Sequence, residues 1–202
     1  MNRWAERWQM RQTAWDLGGS HPLTQSCLQD ASSLSGTSLA GPWLIPGCGR
    51  AHDAVTLLEN GATSVCGIDY VPMAIAEASR LYAGRPQIVL QCRDVFLVPQ
   101  AERYYYWGVF DRAMMCAVNG IERHRYLDAV VQYLRPGGMF ISIAFAAVAK
   151  PESGPPFEIS RSELLTSFSA GWRILQIEEV VSPACDQKIL KEWRFIAQKQ
   201  SV

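Results

Sequence analysis

At 202 residues the chain is long enough for one sizeable hydrophobic core and short for two, so a single domain over 1–202 is expected. Lysine plus arginine and aspartate plus glutamate each number 19, which gives no electrostatic reason to expect a nucleic-acid or membrane-surface partner. No uninterrupted apolar run approaches a membrane span, and the first residues, with Arg3, Glu6 and Arg7 among tryptophans, lack a signal-peptide core, so a cytoplasmic small-molecule enzyme is expected.

Residues 1–41 read as an N-terminal helical cap and linker, with Trp4 and Trp8 one helical turn apart and a Ser/Gly/Thr-rich stretch over 34–41. The core over 42–202 opens on the strand Trp43-Leu44-Ile45-Pro46, which runs into Gly47-Cys48-Gly49-Arg50 and a helix over 51–60. Glycines allow the positive φ angles of a sharp strand-to-helix turn and let the backbone lie against a cofactor. A second strand, 65–68, ends on Asp69, 20 residues beyond Gly49, where a carboxylate accepts bonds from both hydroxyls of a ribose. Dinucleotide enzymes share this layout. They usually carry a third glycine that lets the helix approach a pyrophosphate, whereas 46–53 offers two, so a cofactor without phosphate, such as S-adenosylmethionine, fits better.

Further on, a helix over 72–82 starts with proline in its first turn, followed by strands over 88–91 and 108–115. A helix over 124–134 stops at Arg135-Pro136-Gly137-Gly138, and 139–145 reads as a buried strand. The Pro/Gly-rich loop 150–156 then lies beyond the carboxyl ends of the strands, where open α/β sheets bind ligands. A helix over 161–169 precedes strands over 172–180 and 188–197, joined by a Ser-Pro turn and so expected to pair antiparallel. The alternation predicts an α/β domain with a mostly parallel sheet.

The turn at 46–53 resembles that of the thiopurine S-methyltransferase superfamily, which usually reads Pro-Gly-Cys-Gly-Arg-Gly-Tyr-Asp; Ala51 and His52 depart from it. Four more pieces match: Trp4 and Trp8 with Trp15-Asp16-Leu17-Gly18; Cys92-Arg93-Asp94-Val95-Phe96; Phe110-Asp111-Arg112-Ala113 with Asn119 and 123–126; and Gly154-Pro155-Pro156-Phe157. The resemblance implies a Rossmann-like class I methyltransferase. Its mostly parallel seven-stranded sheet would be closed by one antiparallel strand, with helices on both faces and an N-terminal helical cap. It further implies S-adenosyl-L-methionine as cofactor, held by Trp4, Trp8, Gly47, Gly49, Asp69, Asp94, Val95 and Asp111. Trp15, Arg112 and Phe157 would meet a small-molecule methyl acceptor, with Arg112 as the catalytic residue.

Each assignment has a plainer rival. The tryptophans suit a helix buried on the sheet as well as a cap whose aromatic faces attract a sulfonium. Asp94 suits a solvated loop as well as an acceptor for the adenine amine, with the Val95 amide on a ring nitrogen. Arg112 suits an ion pair with Asp111 as well as a charge that stabilises a thiolate. The prolines of 154–157 pre-set a loop that closes over a ligand, or simply make a turn. His21, His52 and His124 are isolated and read as surface or cap residues, not general bases. The missing base favours a sulfur acceptor or a similar soft nucleophile (thiopurine, sulfide, halide or metalloid). An O- or N-methyltransferase of a small natural product and a non-catalytic cofactor-binding module stay open. The six cysteines, Cys27, Cys48, Cys66, Cys92, Cys116 and Cys185, lack metal-ligand spacing, so free thiols and no metal site are expected. A monomer is the expected form, with a dimer also open.

Overall fold

The computed structural model describes residues 3–150, 154–183 and 189–201. Seven strands form one sheet in the order β3-β2-β1-β4-β5-β7-β6. The parallel part holds β1 (Pro42–Pro46), β2 (Ser64–Asp69), β3 (Ile88–Cys92), β4 (Tyr106–Arg112) and β5 (Leu134–Val148). The cap contributes α1 (Arg3–Gln9) and α2 (Thr24–Ser35). Between the strands run α3 (Asp53–Glu59), α4 (Pro72–Leu81), α5 (Met114–Ala117), α6 (Gly120–Tyr133) and α7 (Arg161–Ser167). Helix starts follow local chemistry. Pro72 occupies the first turn of α4, while Asn119 and Ser160 accept from the amides of Glu122 and Glu163 as side-chain caps.

Strand alternation divides the core between the two faces of the sheet. Leu44, Ile68 and Val109 pack with Tyr126, Tyr133 and Phe168 on one face, whereas Trp43, Ile45 and Phe110 pack with Cys27, Leu28 and Leu57 on the other. Trp43 pairs in register with Gly108 on β4, and a Cβ at 108 would run into the Trp43 ring. That glycine is what lets a tryptophan fill the layer.

Three expectations need correction. The strand expected over 108–115 ends at Arg112, because Ala113 turns to φ 63 and Met114 begins α5; the apolar Met114-Met115 pair is helical, held by the buried Asp111 carboxylate that accepts from the Met114 and Met115 amides. The strand expected over 139–145 starts at Leu134, so Arg135 to Gly138 belongs to an irregular strand beginning and α6 ends a residue earlier, at Tyr133. One strand runs antiparallel in an otherwise parallel sheet of seven, as expected, but it does not lie at the edge. β7 (Ile189–Lys199) lies between β5 and β6 (Trp172–Val181), antiparallel to both, and β6 takes the edge. Burial explains the placement: Trp193, Phe195, Ile196 and Ala197 are buried, as an internal strand requires, whereas Glu178, Glu179 and Val181 on β6 are exposed. Among the described residues no helix is long and apolar enough to cross a membrane. Five cysteines are free, and Cys185 lies outside the described residues.

Candidate active site

The chain folds a cavity of about 1030 Å³ over the carboxyl ends of β1, β2 and β4, roofed by the N-terminal cap. Its floor is the turn after β1. Gly47 and Gly49 take φ 57 and φ 52, and the Cys48 amide donates to the Ile68 carbonyl at 2.9 Å, which draws the turn onto β2. A Cβ on Gly47 would stand 2.6 Å from the Met114 sulfur, so the turn and α5 leave no room for a side chain there.

Asp69 ends β2 and ties two loops together. One oxygen accepts from the Gly49 amide at 3.0 Å and the other from the Val71 amide at 2.9 Å. Burial raises its carboxyl above the usual range, against the lowering effect of the Val71 and Gly49 amides. Asp69 lines the cavity, and a carboxylate offers about four acceptor sites, more than the Gly49, Val71 and Tyr70 amides fill. Asp94 and Val95 line the same cavity beyond β3: Asp94 accepts from the Phe96 amide at 2.9 Å, and the Val95 carbonyl accepts from the Tyr133 hydroxyl at 3.2 Å.

Arg112 and Asp111 separate at the end of β4, as successive strand residues must. Arg112 lines the cavity, half-buried, with its guanidinium 5.7 Å from the Phe145 ring centroid, and no described acid forms an ion pair with it. Asp111, expected at the cofactor, does not reach the cavity. It is wholly buried, accepting from the Tyr126 hydroxyl at 2.7 Å, the Met114 and Met115 amides at 3.1 and 3.2 Å, and the Ser142 hydroxyl at 3.4 Å. Burial pushes its carboxyl up to about 6 despite these bonds. Phe157 is also absent from the lining. The loop reaches the cavity through Pro155 and Pro156, while the Phe157 amide donates to the Cys116 carbonyl at 2.8 Å and its ring packs against Gly154.

The cap brings Trp4, Trp8 and Trp15 to the opposite wall. Trp4 and Trp15 meet edge to face at 5.1 Å, and Trp8, 3% exposed, lies over Gly49 with the Arg50 guanidinium 4.7 Å from its ring. Sequence reasoning did not find what holds this cap down. Arg50 pairs with Asp16 and, at 2.6 Å, with Glu77; His52 shares Asp16 at 3.0 Å. Burial opposes ionisation of Asp16, but bonds from His52, Gly18 and Arg50 outweigh it and hold the carboxyl well below the usual range. A second anchor is the buried Asp53, which accepts from the Ser20 hydroxyl at 2.7 Å, the His21 amide at 2.9 Å and the Thr24 hydroxyl at 2.6 Å. His52 thus ties to the cap, whereas the His21 ring, expected to be isolated, is buried 3.3 Å from Glu192 of β7; both histidines line the cavity, and His124 is exposed. The only sequence signal for the cap contacts was the cap-like Trp15-Asp16 and the turn residue Arg50; pairs 27 to 36 positions apart carry no period.

The cavity fits the expected cofactor on its own terms: a turn with no room for side chains, a carboxylate with free lone pairs, and aromatic rings on the facing wall. Among the described residues no group of His, Cys, Asp or Glu could hold a metal ion.

A family model described as thiopurine S-methyltransferase matches residues 1–193. A probable thiol methyltransferase 2 of Arabidopsis thaliana is 26% identical over 95% of this chain and 84% of its own length. Thiocyanate methyltransferase 1 of the same plant is 29% identical over 87% and 75%, and a thiopurine S-methyltransferase of Xanthomonas campestris 27% over 87% and 84%. Among solved structures, the Burkholderia thailandensis 1,6-didemethyltoxoflavin-N1-methyltransferase, with S-adenosylhomocysteine bound, superposes with a TM-score of 0.74 at 17% identity, covering 98% of this chain and 86% of that one, a likeness of fold.

Proposed function

The chain belongs to the thiopurine S-methyltransferase family, and on that premise we propose that it methylates the sulfur of a small thiol or a similar soft nucleophile from S-adenosylmethionine. Bound in the cavity, that cofactor supplies a methyl group on a positively charged sulfur, open to attack by soft anions. Asp69 accepts from the ribose hydroxyls, Gly47 and Gly49 make room for the methionine end, and Asp94 with Val95 takes the adenine. Trp4 and Trp8 cover the cavity and exclude water. Volume supports an organic acceptor: about 1030 Å³ is at the upper end of the roughly 300–1,000 Å³ of small-molecule sites, leaving space for two ligands.

The observation that carries this reading is Arg112, a guanidinium on the cavity wall with no described acid to neutralise it. A permanent positive charge there lowers the pKa of a bound thiol, so the thiolate forms near neutral pH without a general base. Thiolate and methyl donor carry opposite charges that cancel as the bond forms, and a dry site does not oppose that. A cytoplasmic location and a small-molecule acceptor belong to the same reading. Arg112→Ala is expected to leave S-adenosylhomocysteine affinity nearly unchanged while turnover on aryl thiols falls and the limb along which it rises with thiol ionisation moves to higher pH. Arg112→Lys keeps the charge without the planar fork and recovers part of the rate. Unaltered turnover and pH profile in Arg112→Ala would make this arginine structural and remove the main support for a sulfur acceptor.

A further inference from the structure

Nothing in the sequence motif explains why the adenine loop should hold its shape, since Asp94 and Val95 sit between a strand end and an irregular segment. The neighbouring guanidinium does. Arg93 donates through Nε to Gln91 at 2.6 Å, through Nη1 to the Tyr133 hydroxyl at 2.7 Å and through Nη2 to Glu102 at 2.5 Å. The same Glu102 oxygen accepts from the Tyr106 hydroxyl at 2.7 Å, and the Tyr133 hydroxyl in turn donates a hydrogen bond to the Val95 carbonyl at 3.2 Å. One side chain therefore gathers β3, β4, α6 and the 3-10 turn Gln100–Glu102 under the loop.

The peptide joining Val95 to Phe96 is held at both ends, its carbonyl by Tyr133 and its amide by Asp94 at 2.9 Å. That leaves the second Asp94 oxygen and the Val95 amide as the acceptor and donor that an adenine edge requires. We propose that Arg93 is the positioning residue of the adenine site: through Tyr133 it fixes the Asp94–Val95 pair and so selects adenine over a base with the complementary edge. The inference rests on the assignment of Asp94 and Val95 to the adenine. A planar fork suits this task, because its donors point in fixed directions and a lysine could engage fewer of the three partners.

The test compares S-adenosylhomocysteine with S-inosylhomocysteine, in which a carbonyl replaces the exocyclic amine, by calorimetry on the full chain. Wild type is expected to prefer the adenine compound by about tenfold or more, the scale of a mismatched hydrogen-bond edge. Arg93→Met should bring the two affinities to within about threefold, Arg93→Lys should restore part of the preference, and Tyr133→Phe should reduce it by deleting a single hydroxyl. In turnover, KM for the cofactor should rise in Arg93→Met while kcat at saturation and KM for the acceptor stay near wild type. A merely structural arginine would lower thermal stability and leave the preference intact, and that result overturns the proposal. Should Arg93→Met not fold, Tyr133→Phe with an undiminished preference overturns it equally. A wild type that binds both compounds alike overturns the adenine assignment instead.

Discussion

Asp69 and Asp111 stand near the ends of two parallel strands of one sheet, both buried, and do different work because of which way each side chain faces. Asp111 turns inward and spends its oxygens on α5 and Tyr126, whereas Asp69 keeps capacity on the cavity side. On the proposed reading Asp69→Ala would remove two charge-assisted bonds to the ribose, so S-adenosylhomocysteine binding should weaken by about 2–4 kcal/mol, read by calorimetry. The sign of its pH dependence follows from burial. The raised carboxyl holds its proton at higher pH than an ordinary aspartate, so binding that needs the ionised form is present above that raised value and lost as pH falls through it. Wild type should therefore lose affinity on acidification sooner than an ordinary carboxylate would, and Asp69→Ala should flatten that limb. An identical acid limb in the mutant would assign the titration to another group. That Asp69, Gly47, Gly49 and Arg112 meet at one cavity was legible in the sequence, because each sits at a fixed offset in a strand-and-turn motif. Arg93 stands in a motif that does not show its role, since Glu102 and Tyr133 meet it only after separate elements pack.

Elements were legible where periodicity was local, and illegible where tertiary contacts overrode it. Alternating strands and helices through β3 follow from apolar runs and turn residues alone. The β4–α5 junction does not: Ala113-Met114-Met115 is as apolar as a strand, but Ala113 turns left-handed and the buried Asp111 carboxylate receives the first two amides of α5. The cap junction is the same kind of case. Arg50 in the turn after β1 grips Asp16 of the cap and Glu77 of α4 and stacks on Trp8, so the turn that floors the cavity also fastens the cap. Because both partners lie in a partly buried site, Arg50→Ala and Asp16→Ala should each weaken S-adenosylhomocysteine binding. The double mutant should lose less than the sum, with a coupling of about 1–2 kcal/mol. Strict additivity in the calorimetric cycle would show that the pair does not transmit cap position to the cofactor turn.

At the scale of the whole molecule, the two faces of the sheet carry the main core, and α1 stands apart from both. Trp8 packs with Val71 and Ala74, joined by Trp4, Ala5 and Trp15, in a third and smaller apolar cluster. A helix of seven residues has no stability of its own, so α1 depends on that cluster and on Arg50. It should therefore open locally while the sheet stays folded. Native-state hydrogen exchange is expected to show α1 amides exchanging far faster than those of β4 and β5. Since the cap roofs the cavity, a ligand that binds only the closed form must suppress this opening. S-adenosylhomocysteine at a hundredfold excess over its Kd should slow α1 exchange by about a hundredfold, or about 2.7 kcal/mol. Exchange in α1 that ignores the ligand, or that keeps pace with the sheet, would mean that the cap is a fixed part of the core and that water is excluded from the cavity by some other element.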